Sequence, residues 1–160
     1  MTDPMTADLD GFDEAAYDAA QDGRWREFRI RLADYLADLC PADPPFLMFD
    51  FVDTELGQSA AITAVCDGDD RLELAIDGRT LAATVCDHDG RVRLLRDDGW
   101  AVHGDDSLLR DFDLRHVDAA AVAVEHAFRE VWGIPDPSYL LGDENDILRQ
   151  FTDPQERRNV

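Results

Sequence analysis

The amino-acid sequence predicts an α+β fold: a twisted antiparallel sheet of about five strands, with an N-terminal and a C-terminal amphipathic helix packed on it. Three observations lead there. Apolar residues recur at helical spacing near Trp25–Leu39 and again near Asp118–Trp132. Short stretches with strand character lie between those two segments. Asp- and Gly-rich turns separate the stretches, and short turns join neighbouring strands antiparallel.

In "RWREFRIRLADYLADLCPADPP", Trp25, Phe28, Leu32, Tyr35, Leu36 and Leu39 form one stripe at spacings of three and four, with Arg24, Arg31, Asp34 and Asp38 facing water. Pro41, Pro44 and Pro45 stop this helix. "PFLMFDFVD" is an aromatic-rich strand, and "SAAITAVCD" places Ile62, Ala64 and Cys66 on one face. "RLELAID" alternates Leu72, Leu74 and Ile76 with Glu73 and Ala75, and "RTLAATVCD" reads as a further strand. "DGDD", "DG" and "DHDG" are hairpin turns, because Asp and Gly tolerate the positive φ such turns demand. Arg91–Asp98 suits a strand or a short helix, and Trp100–Arg115 reads as an acidic, Pro-free loop.

The closing segment "VDAAAVAVEHAFREVWGIPDPSYLL" is the most regular in the chain. Asp118 suits an N-cap, and Ala121, Val124, Phe128 and Val131 form the buried stripe. Glu125 and Arg129 form an i,i+4 pair on the wet side. Gly133 stands where a left-handed residue ends a helix, with Ile134 folding back onto Phe128, and Pro135 and Pro137 prevent resumption. Val122 falls off the stripe. Trp132 and Tyr139 combine apolar bodies with polar tips, which suits a partner surface.

A chain of 160 residues buries about 70% of its unfolded surface and folds as one domain. Residues 1–23 carry seven acids and no base and read as a mobile arm or a short frayed helix, 24–141 as the domain, and 142–160 as a C-terminal tail. The net charge of -21 comes from 36 acids against 15 bases, all of them Arg. Such a surface repels nucleic acid and anionic lipid, and it either favours a basic protein partner or keeps the chain soluble. No apolar run approaches the roughly 20 residues of a membrane helix. The N-terminus has neither the basic nor the apolar region of a secretory signal. A cytoplasmic protein is expected.

Chemistry-bearing motifs are sparse. Cys40, Cys66 and Cys86 match no disulfide framework or zinc site and read as buried free thiols. Cys86 and His88 would share a strand face, which allows a small thiol-dependent enzyme or sensor, but His88 sits in a turn sequence that recruits polar residues anyway. His126 pairs with Glu130 along the last helix, and Asp97–Asp98 reads as a solvated turn. No HExxH, CxxC, GxSxG or phosphate-binding loop occurs, and the Asp-rich turns lack the ligand spacing of a calcium loop. Neither a cofactor nor a metal is expected, and a non-enzyme is the better reading.

The order of a Trp-led helix before an aromatic strand ("WREFRIRLADYLADL", "PPFLMFDFV"), then "LLRDDGW", then "VDAAAVAVEHAFREVWGIPDPSYL", resembles the TY-Chap group, actinobacterial proteins related to YbjN and to type III secretion chaperones. The resemblance spans roughly Arg24–Leu141 and rests on Trp25, Phe28, Trp100, Phe128, Trp132, Pro135, Pro137 and Leu140. A second family-like helix finds a place only at Arg91–Asp98. The resemblance implies a helix-backed sheet that binds a peptide or protein client without catalysis, in a group whose members are small, acidic and commonly homodimeric. Val122, Trp132 and Tyr139 are the residues expected to meet the client.

Overall fold

The computed structural model describes residues 13–50, 60–68, 70–78, 81, 88–104 and 107–142. Helix α1 (Glu14–Ala37) opens on Asp13, whose side chain accepts the Ala16 backbone N–H at 3.1 Å. The apolar stripe is buried as its spacing requires: Trp25, Phe28, Leu32 and Leu36 are sealed, and Tyr35 packs its ring on Phe46 at 4.6 Å. The boundary placed at Arg24 falls inside this helix, whose first turns are almost entirely exposed. Arg24 does not simply face water: its guanidinium is bound to Asp136.

Six strands follow: β1 (Phe46–Asp50), β2 (Ala61–Cys66), β3 (Arg71–Asp77), β4 (Ala101–His103), β5 (Ser107–Asp113) and β6 (Leu140–Gly142). They form one sheet in the order β4-β5-β3-β2-β1-β6, with every neighbouring pair antiparallel. At the β2–β3 turn, Gly68 and Asp70 have φ of 48° and 57°, the positive values that "DGDD" requires. Period-two alternation sends Met48, Ile62, Ala64, Leu72, Leu74, Ile76 and Leu108 to one buried face.

Three middle segments differ from the sequence reading or lie beyond it. "RTLAATVCD" lies outside the described residues apart from Leu81, which is buried. Arg91–Asp97 belongs to helix α2 (His88–Asp97), with Asp98 in the turn that follows, so "DHDG" starts a helix rather than turning a hairpin. Asp89 in its first turn complements the helix dipole, and helical spacing turns Val92 and Leu95 inward together while Leu94 stays exposed. The supposed loop from Trp100 to Arg115 contains β4 and β5, and β5 pairs with β3 along its whole length. Its alternation is hidden by Arg110, which occupies an inward position between Leu108 and Phe112. That charge is accommodated by Asp98 at 3.0 Å and by the Phe112 ring at 4.9 Å.

The last helix, α3 (Val117–His126), follows a 3-10 turn at Leu114–His116 and continues as a π turn over Ala127–Val131. Asp118 is not the cap but lies in the first turn of α3; the helical run begins earlier, and Asp113 caps it by accepting the Arg115 N–H at 2.9 Å. Ala121, Val124, Phe128 and Val131 are buried as the stripe predicts. Ala120, Ala123 and Ala127 are buried with them, and their small side chains let the helix approach its neighbours closely. Helix α3 packs on α1 and β5, and α2 packs on the π turn, so the helices form one layer over the buried face.

Candidate functional site

The end of α3 answers what so regular a helix is for. Gly133 takes φ 71°, and the Ile134 N–H donates to the Phe128 carbonyl at 2.9 Å. This is a Schellman-like stop made one residue longer by the π turn, in which the Trp132 N–H reaches Ala127. The chain then meets α1. Trp25 Nε1 donates to the Pro135 carbonyl at 3.1 Å, and Arg24 Nε binds both carboxylate oxygens of Asp136 at 2.8 and 3.1 Å. Two consecutive residues of α1 thus grip two consecutive residues far along the chain. Asp136 also accepts the Ser138 N–H at 2.8 Å, opening the 3-10 turn Pro137–Tyr139 that delivers β6 to β1.

A second link joins the helices higher up. Glu125 is only 8% exposed and meets Arg29 at 3.2 Å and Arg129 at 3.8 Å. It does not lie on the wet side, because the close approach of α1 covers that flank of α3. Arg129 bridges further to Asp22 at 2.7 Å and lies over the Trp25 ring at 5.6 Å. The sequence carried a signal for this pairing: α1 holds Arg24 and Arg29, and the closing segment holds Glu125 and Asp136.

Of the residues expected to meet a client, Val122 on α3 and Tyr139 in the 3-10 turn are about half exposed, at 49% and 51%. Trp132 is partly buried, with its ring 5.7 Å from Phe128 and its Nε1 sealed without a hydrogen-bond partner. Trp100 Nε1 is likewise buried and unpartnered. The interval between Val122 and Trp132 turns them to different sides of the helical run, so they do not form one stripe.

The proposed thiol pair is not brought together within the described residues, since Cys86 lies outside them. His88, at the start of α2, has Nδ1 3.5 Å from Asp89. Cys66 is buried and free, and burial, followed by the nearby Cys40 and Asp67, pushes its thiol above the ordinary range. A thiol so placed is a poor nucleophile. Cys40 is exposed rather than buried, because it follows Leu39 into the Pro-rich connection. Among the described residues, no group of three or more His, Cys, Asp or Glu is placed to hold a metal ion. None of the described helices is long and apolar enough to cross a membrane.

The opposite face of the sheet carries a pattern that the sequence reading left aside. Leu47, Thr63, Ala75, Leu109 and Ala101 stand opposite one another in register, forming a row across five strands. Beside it, Val65 pairs with Glu73, and Glu73 stands directly opposite Asp111. The alternate positions Ala61, Thr63 and Val65 of β2 were the available signal: small or apolar residues on the face away from the helices.

The described residues thus make an antiparallel sheet with the helices layered on one face and partly exposed apolar residues on both layers. The chain belongs to the family described as T3SS (YopN, CesT) and YbjN peptide-binding chaperone 3, or TY-Chap3, whose model matches residues 18–146. No curated protein and no solved structure matches the chain.

Proposed function

We propose that this protein is a non-catalytic, cytoplasmic chaperone-like module that holds a peptide or protein client and serves secretion. The family match over residues 18–146 carries the reading. Val122 and Tyr139 add exposed apolar surface, and Trp132 at the helix end is partly buried against the core. The π turn at Ala127–Val131 supports placing contacts here, since such bulges are frequent at functional sites. A homodimer accords with this reading, whereas nucleic acid and membrane do not, given a net charge of -21.

The test is quantitative recovery of client after cross-linking in the native cell, comparing the wild-type chain with Val122→Arg and Tyr139→Ala. Both variants should melt like the wild type and recover several-fold less of the same client. Undiminished recovery by both would remove these residues from the docking surface. Cross-linking that captures no client at all would overturn the chaperone reading.

A further inference from the structure

We propose that the face of the sheet turned away from the described helices binds a cationic amphipathic peptide segment, with apolar side chains laid over the Leu47–Thr63–Ala75–Leu109 row and an Arg or Lys set beside Glu73 and Asp111. This rests on the peptide-binding reading and assigns it a second surface and a ligand chemistry. Leu47, Thr63, Val65, Ala75 and Leu109 are each partly exposed and alternate along their strands with the residues buried on the helix side. Small side chains at Thr63 and Ala75 keep the middle of the row shallow, so bulkier side chains can seat there. The acid pair lies two residues along β3 from Ala75, about 7 Å away.

Charge identifies the occupant. Like charges directly opposite on neighbouring strands are destabilising, and Glu73 and Asp111 are such a pair. Arg71 reaches Asp111 at 3.8 Å from an exposed position, whereas Glu73 has no ion pair among the described residues. A ligand cation between the two carboxylates would relieve their repulsion, and the overall charge of -21 draws cations toward the protein as a whole. A second copy of this acidic chain set on this face would instead add negative charge beside Glu73 and Asp111, so any homodimer would form through another surface.

Fluorescence anisotropy with two labelled synthetic peptides of equal length tests the assignment, one alternating leucine with arginine and one alternating leucine with glutamate. The arginine peptide should bind, more weakly as salt rises, and the glutamate peptide should not. Glu73→Gln should weaken binding about tenfold or more while raising the melting temperature, an opposition that a purely structural role would not produce. Thr63→Arg, which plants a competing cation in the row, should weaken binding comparably. Binding that responds to Val122→Arg and Tyr139→Ala but not to the sheet variants would overturn this inference and leave the chaperone reading standing. Equal binding of both peptides would overturn the charge argument, and binding of neither would overturn the inference altogether.

Discussion

Arg24 and Asp136 form a two-oxygen contact at 2.8 and 3.1 Å between the first helix and the segment that leads into the last strand. Their neighbours Trp25 and Pro135 are joined at 3.1 Å. The pair of contacts turns the end of α3 into a closure: the chain stops, is gripped by α1, and returns to the sheet edge. Burial alone would raise the Asp136 carboxyl, but hydrogen bonds from Arg24 and Ser138 outweigh it and hold the group below the usual carboxylate range.

Asp136→Ala is therefore expected to cost about 1–2 kcal/mol, a charged hydrogen bond discounted for the partial exposure of Arg24. Because the folded pKa is depressed, this contribution is present above the unfolded value near 4 and is lost as pH falls through the folded value. Urea unfolding of wild type and Asp136→Asn across that range checks it. Their difference in stability should shrink toward acid.

Gly133→Ala isolates a backbone effect. A Cβ added at this residue meets nothing within 4 Å, yet its φ of 71° is one that L-residues adopt at a cost. The expected loss is about 1–2 kcal/mol, with no change in packing. Asparagine at the same position should recover part of it, since Asn tolerates this region. Equal stability of Gly133→Ala and wild type would show that the helix stop tolerates another backbone conformation.

Truncation to Arg24 should leave the melting temperature within about 4 °C of the full chain. The turns removed from α1 are nearly all exposed. The ion pair lost, Arg129–Asp22 at 2.7 Å, has an Asp22 side chain 64% exposed, and such pairs contribute about 0–1 kcal/mol. A fall of many degrees would show that these turns support the Trp25 packing below them.

The elements that were legible in the sequence are those whose burial follows one period. Trp25–Phe28–Leu32–Leu36 and Ala121–Val124–Phe128–Val131 keep helical spacing, and Leu72–Leu74–Ile76 keeps strand spacing, so each names its own buried face. β5 was illegible because its inward Arg110 is neutralised by Asp98, which lies in the turn after α2. The same holds for Glu125: its partner Arg29 lies in α1, and no local pattern distinguishes a buried paired acid from a solvated one. Val122 was readable as exposed because it falls off the stripe, whereas Tyr139 was singled out only for its apolar body and polar tip beyond the helix stop. The Glu73–Asp111 juxtaposition depends on strand register, which the two segments do not specify separately.

The last prediction separates scaffold from surface within the closing segment. Phe128 is fully buried and its ring packs beside Trp132, so Phe128→Ala should cost about 3–5 kcal/mol through lost burial and the cavity left behind. Tyr139 is half exposed, and its backbone N–H, which bonds to Asp136 at 3.1 Å, survives substitution. Tyr139→Ala should accordingly cost under about 1 kcal/mol. Chemical denaturation of both variants gives these values, and client recovery measured on the folded fraction gives the complementary result. Phe128→Ala should lose client only in proportion to unfolding, whereas Tyr139→Ala should lose it while folded. Should Tyr139→Ala destabilise the domain as much as Phe128→Ala while its folded fraction keeps the client, Tyr139 belongs to the scaffold and the docking surface must lie elsewhere.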